Sequence, residues 1–508
     1  MVFQGMFTRG GAKIPRLFMG CAEAEAEAQN QRMPLVDVYE DHHDIAAQLD
    51  NEKFILIGRK GSGKSAFGTY VCEHCKNHPT AFSKFIRKHD YDLELITRGA
   101  KEASVEFNAA SFIKWLVLTQ VIKLFLESEA AKDGKKFNLL EQFLRKNSGY
   151  VEINRSLVVE EIKRHQFKVS TEFFKRFIAG EKVKSLDVKE DRAHFTRLLP
   201  HLEEVVRSIL LSPIVLRNEN SFTLFFDDLD LDYLGSETSK SALVELLRTV
   251  KSLNLDTFAG TGAKVIVLLR DDIESELSGF ADTGKMLSSY SHRISWVRER
   301  ELKKSEEKDI RLKRMIDRRI RKACEVAGVP CRQDDPWETL VSFRPEQSSK
   351  TTFREILEFT LFRPRDLIVF FAPLNDNDYS LPLDFGDVRK LKDAYARALV
   401  GELKNEMIAR YTQVEVDGIF RALPKLRQGT NYSDLLSALR EDVPTCDAEL
   451  LAAYLYDRSV IGNIDERGLY WFACRSVPGS RGSGINTEFS FVVQIALRRH
   501  FSEVSGQK

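Results

Sequence analysis

Apolar residues recur at helical spacing along most of the chain, but three short stretches break that rhythm with near-continuous apolar runs. They are Phe54-Ile55-Leu56-Ile57, Thr223-Leu224-Phe225-Phe226 and Lys264-Val265-Ile266-Val267-Leu268-Leu269. Runs this short, bounded by turn or charged residues, predict strands covered on both faces, as in a parallel sheet. A helix is predicted directly after the first run, from Lys64 to about Lys76, and helical patterns lie between and after the other two. Buried strands alternating with helices predict an α/β fold on a parallel sheet.

The remaining pattern divides the chain. Residues 1–45 read as an N-terminal arm, in which Ala22–Ala28 alternates Ala and Glu. This is a strong helix former without an apolar stripe. Residues 46–295 read as the α/β core, carrying a Lys/Glu-rich helical insertion at about 100–215. Residues 296–380 read as a helical lid, closed by a Pro/Asp/Asn-rich linker between Pro373 and Pro382. Residues 381–508 are helical, then strand-like. There Glu449–Asp457 predicts a helix, Leu469–Cys474 and Phe489–Val493 predict strands, and Gly479–Gly484 a glycine-rich loop between them. That order suggests a winged-helix-like domain. No internal repeat is visible.

Composition narrows the class. The 508 residues carry a formal net charge of +1, with 43% hydrophobic and 30% charged residues. The molecule as a whole therefore does not advertise nucleic-acid or membrane binding, and any such binding must come from local patches. Seven cysteines spread over this length argue for a reducing compartment and against a disulfide framework. The stretch Phe112–Leu126 is interrupted by Lys114, Gln120 and Lys123 and reads as an amphipathic core helix. Neither it nor the Arg- and Lys-broken N-terminus reads as a membrane segment. The expectation is a cytoplasmic protein.

The chemistry lies behind the strands. Gly58-Arg59-Lys60-Gly61-Ser62-Gly63-Lys64-Ser65 matches the G-x-x-x-x-G-K-[ST] pattern between a buried strand and a helix. Glycines 58, 61 and 63 are expected to permit positive φ, so that backbone N–H groups converge on phosphates. The following helix, with Ala66 in its first turn, would present its positive end to the same anion. Lys64 would reach the β- and γ-phosphates of ATP, and the Ser65 hydroxyl would hold Mg²⁺. Asp227 would hold the metal and Asp228 would orient the attacking water. Arg270, ending the neighbouring run, and Arg365, in Arg363-Pro364-Arg365-Asp366, are candidate γ-phosphate sensors. The proline is expected to make Arg363 and Arg365 point apart. No Asn-Lys-x-Asp guanine-reading motif occurs, which favours ATP over GTP.

These residues, with the Ala/Glu segment, the Asp227-Asp228-Leu229-Asp230 strand end and Ile294-Ser295-Trp296 with Glu301-Leu302, occur in an order that resembles a bacterial P-loop ATPase family. That family is related to the STAND and KAP NTPases and, more distantly, to the AAA+ and origin-recognition ATPases. The resemblance covers most of residues 18–412. It implies an ATP-binding switch with a helical lid and a C-terminal winged-helix-like module, among relatives found with phage-defence genes. The chain departs from the KAP pattern in lacking membrane helices in the insertion, and no arginine finger can be placed.

Two further signals have bland alternatives. Cys72-Glu73-His74-Cys75 with His78 has metal-ligand spacing, but on a helix it reads better as small core cysteines. Arg298–Lys322 is dense in Lys and Arg and reads either as a stripe for nucleic-acid phosphates or as a solvated helix laced with ion pairs. The functional expectation is an ATP-hydrolysing switch acting on a protein partner or effector, in antiviral defence. The alternative is a nucleotide-regulated DNA-binding protein, and a metabolite kinase stands third. Self-association is left open.

Overall fold

The computed structural model describes residues 16–87, 109–128, 135–146, 168–170, 192–229, 237–277, 279–296, 307–341, 351–376, 379–476 and 482–504. The chain forms two compact units. One comprises His43–Lys60 and Lys64–Ile294; the other comprises Met1–His42, Gly61–Gly63 and Ser295–Lys508.

The first of these contains strands β1 (Ile55–Gly58), β2 (Ala81–Ile86), β3 (Lys168–Ser170), β4 (Arg192–His194), β5 (Ser221–Phe226), β6 (Ala263–Arg270) and β7 (Ser291–Arg293). Five of them make a parallel sheet in the order β2-β5-β6-β1-β7, and β3 pairs antiparallel with β4. The fold is α/β, as the apolar runs predict. All four residues of β1 are buried, which is why that strand reads as a continuous run. Two strands leave a weaker trace. In β2 only Ile86 is buried, so it shows no apolar run, and β7 is three residues long.

Helices cover the sheet. Lys64–Cys75 follows β1, and Gly68 lets it approach closely, since a Cβ there would come within 2.7 Å of Phe85 Cζ. Ala109–Glu127 is not amphipathic. Trp115, Leu116, Val117, Leu118, Val121, Ile122, Leu124 and Phe125 are all buried, and Thr119 and Gln120 with them. This helix has the length and apolar content to cross a membrane, yet its whole girth packs against β2, β5 and the helices Phe195–Leu210 and Glu237–Ser252. A helix apolar all round is what a position in the middle of a large core demands.

The other unit centres on the helix Arg311–Ala327. Leu312, Met315, Ile316, Ile320 and Ala323 on it share a core with Leu17, Met19, Met33 and Val38 from the N-terminal segment. The short helix Ala24–Ala28 explains its missing apolar stripe: its one buried residue is Glu27. That carboxylate meets Arg319 in a two-pronged ion pair of 2.6 and 2.7 Å, with 2% and 5% of the residues exposed. The N-terminal segment thus docks by a buried charge as well as by four apolar side chains.

Helix starts in this unit follow their sequence signatures. Thr351, Asp384, Thr412, Asn431 and Asp447 each accept a backbone N–H at the N-cap, satisfying donors a helix start leaves over. Three consecutive helices, Gln413–Ala422, Tyr432–Asp442 and Ala448–Asp457, lead into the antiparallel sheet of β8 (Ile461–Ile464), β9 (Tyr470–Trp471) and β10 (Ser490–Val493), in the order β10-β8-β9. Thr430, between the first two helices, bridges to Phe491 on β10. The structure adds β8, hidden in the sequence by Gly462-Asn463, and shortens Leu469–Cys474 to a two-residue strand and a 3₁₀ turn at Ala473–Arg475.

Candidate functional site

In open α/β sheets, ligands bind beyond the carboxyl ends of the strands, where the strand order reverses. Here the chain leaves β1, crosses to β2 at the far edge and returns through β5 and β6 to the neighbour of β1. The glycine loop leaves β1 at that reversal point. Register puts Gly58 opposite Arg270 at the end of β6, and Ile57 opposite Arg293 at the end of β7.

The loop is built by two left-handed residues, Gly61 (φ +76°) and Gly63 (φ +97°). Gly58 is not a third: it closes β1 in extended conformation, so the expectation of positive φ at residue 58 is corrected. Lys64 opens the following helix and is only 7% exposed. Its ammonium donates to Gly58 O at 2.7 Å and Arg59 O at 3.1 Å. These two carbonyls fix where the ammonium sits inside the loop. Ser65 and Ala66 occupy the first turn behind it, where backbone N–H groups lack intrahelical partners. The Ser62 hydroxyl is buried with no hydrogen-bond partner among the described residues. Arg59 pairs with Asp271 at 3.5 Å, and Lys60 is half-buried beside it in the chain.

Asp227 directly follows β5, is 6% exposed, and its N–H donates to Ile86 O at 3.2 Å. Asp228 has left-handed backbone, φ +57°, a conformation Asp adopts more readily than most residues. Asp230 lies outside the described residues.

The strand-end arginines are already engaged. Arg270 makes a fork with Asp272, Nε to Oδ1 at 2.9 Å and Nη2 to Oδ2 at 2.6 Å. Arg293, which no run in the sequence singles out, pairs with Glu274. Asp271, Asp272 and Glu274 all belong to the first turn of the helix Asp271–Leu277, where acidic residues favour the positive helix end. One short acidic helix therefore holds Arg59, Arg270 and Arg293.

Within the other unit, Arg363 and Arg365 do not point apart. Both reach Glu402, at 3.2 and 3.6 Å. Arg363 is the N-cap of the helix Pro364–Phe371 and is bound to Asp366 at 2.7 Å. Burial, the largest influence on it, disfavours the charged guanidinium, but Asp366 and then Glu402 outweigh that and hold its pKa well above the usual value. Arg363 is thus a structural cation. Arg365 is the more exposed of the two and also donates to Ala22 O at 3.3 Å. In the same unit, a Cβ on Gly61 would lie 3.1 Å from Arg365 Cβ.

Comparison with known proteins adds three findings. Residues 310–401 match the FunZ-associated C-terminal helical domain. No curated protein matches the chain. Among solved structures, the chain is similar to the Aeropyrum pernix ORC2 protein, determined as ADPNP–ADP complexes, with 10% identity over 86% of this chain and 87% of that one and a TM-score of 0.27. At that TM-score the site stands on its own geometry.

Of the weaker motifs, Cys72 is part-buried and burial pushes its thiol up to about 11, the mark of an inert core cysteine. The rings of His74 and His78 lie 4.3 Å apart, tilted by 42°. Among the described residues no group of three metal-ligating side chains forms. In the described part of the basic segment, Arg314 and Arg318 meet Glu40, Lys322 meets Asp37 at 3.0 Å, and Lys313 meets Asp317 and Asp335 at 2.7 and 2.8 Å, while Arg311 donates to Ser295 O at 3.3 Å and Arg321 to Gln333 O at 3.5 Å.

Proposed function

We propose that the chain is a P-loop ATPase: an ATP-binding and ATP-hydrolysing switch that acts through a protein partner. The observation that carries this reading is the glycine loop itself. It pairs two left-handed glycines with a buried lysine whose ammonium donates to loop carbonyls, at the carboxyl edge of a parallel sheet. Polyphosphate fits this donor set. Loop and helix N–H groups, with Lys64, would hold the phosphates, and Ser65 and Asp227 would hold Mg²⁺, which would neutralise charge on the transferred group. Asp228 would orient water. Arg270 and Arg365, held by Asp272 and Glu402, have carboxylate partners that a γ-phosphate would have to outcompete.

The C-terminal order of helix, bridge, two helices, strand and strand supports a winged-helix-like module. Its third helix, Ala448–Asp457, carries Glu449 and Asp457 and no Lys or Arg. A helix of that charge is poorly suited to a phosphate-lined groove, which favours protein contacts over DNA. Antiviral defence is the cellular setting proposed for this switch.

The test is ATP turnover by the purified chain with no added acceptor, repeated with DNA. Hydrolysis that needs no acceptor and is indifferent to DNA supports the reading. Turnover that requires a small-molecule acceptor replaces it with a kinase, and turnover that appears only with DNA replaces the partner assignment.

A further inference from the structure

We infer that Trp296 is a positioning residue for the phosphate loop, fixing the orientation of the Ser62–Gly63 peptide. The inference rests on the nucleotide-binding reading above. Trp296 follows β7 by a short step in the chain, and its indole Nε1–H donates to Ser62 O at 2.8 Å. Both residues belong to the same compact unit. Indole nitrogen is a donor only, with a single hydrogen on a rigid ring, so the bond has one direction.

A trans peptide is planar, with C=O and N–H on opposite sides. Holding Ser62 O toward the indole therefore turns the Gly63 N–H to the other side of the loop. Gly63 at φ +97° and Gly61 at φ +76° complete a turn that L side chains rarely adopt. Without an anion, N–H groups that converge repel each other, and a loop of glycines relaxes readily by flipping peptides. An anchored carbonyl removes that freedom before phosphate arrives, the general route by which preorganisation improves affinity. The tryptophan is itself held: His42 meets its ring edge-on at 5.5 Å between centroids.

The prediction separates this role from phosphate sensing. A cradle residue acts on the phosphates shared by every polyphosphate ligand, whereas a sensor acts on the third phosphate alone. Trp296→Phe, and replacement of Trp296 by its benzothiophene isostere, which keeps the ring and removes only the N–H, are compared with the natural chain. Affinities for inorganic pyrophosphate, ADP and ATP are measured by calorimetry, together with melting of the free proteins. All three affinities should fall by the same factor, about threefold to tenfold, as expected for one net hydrogen bond. Turnover at saturating ATP should be retained. If Trp296→Phe fails to fold, the isostere decides. Unchanged pyrophosphate affinity in the isostere, or a loss confined to ATP, overturns the inference. A natural chain that binds neither pyrophosphate nor ATP overturns the ATPase reading, and this inference with it.

Discussion

Two cation-rich regions of this molecule look alike in sequence and differ in what holds their charges. In the loop Gly58–Ser65, Lys64 rests on two backbone carbonyls. On the helix Arg311–Ala327, Arg319, Arg314, Arg318, Lys322 and Lys313 rest on carboxylates, from Glu27, Glu40, Asp37, Asp317 and Asp335. The loop's lysine is seated by backbone beside it, whereas these helix cations tie the helix to carboxylates, most of them far along the chain. Density of Lys and Arg therefore says little by itself about what a segment does.

The comparison can be broken at its strongest point. Glu27→Ala leaves Arg319 buried and uncompensated, and should cost about 3–5 kcal/mol, measured by urea unfolding. A cost below about 1 kcal/mol would show that the helix does not depend on its carboxylate partners. Replacing both Glu27 and Arg319 with apolar residues should cost much less than either single change.

Next in size, Lys64→Ala should weaken ATP binding about a hundredfold, the scale for removing a charged hydrogen-bonding partner, with little change in melting. A folded variant of undiminished affinity would remove the phosphate cradle from the reading.

The strand end sharpens the site further. Asp228→Asn should still bind ATP with Mg²⁺ but turn over at least about tenfold more slowly. Asn tolerates the left-handed backbone at this position, so strain does not confuse the result as it would with Ala. Asp227→Ala should lose the tightening of ATP binding by Mg²⁺. Wild-type turnover in both variants would move the metal site elsewhere.

The smallest effect is expected on the helix surface. Arg314→Ser with Lys322→Ser should change stability by no more than about 1 kcal/mol. It should leave DNA retention on a column at low salt unchanged. A sharp loss of retention would restore the basic stripe as a nucleic-acid surface.

How much was legible depended on how local the signal was. The runs ending at Ile57, Phe226 and Leu269 named three strands of the five-stranded sheet, because strands covered on both faces must be apolar throughout. Strand β2, half-buried along all but its last residue, and the three-residue β7 gave no such run, so Arg293 and its pairing with Glu274 stayed hidden. The N-caps from Thr351 to Asp447 are local devices of the same kind, since a cap bonds within three residues of itself.

By itself the sequence determined the strand–glycine loop–helix unit, its lysine and the pair of aspartates after β5, because each depends on backbone chemistry within a few residues. Only the tertiary structure decided which charges are spent. It set Glu27 against Arg319 across 292 positions of chain, brought Arg363 and Arg365 to a shared Glu402, and placed Trp296 on the carbonyl of Ser62, 234 positions away. Such pairs are chosen by packing: a side chain's type fixes what it can bind, and the fold fixes what is within reach.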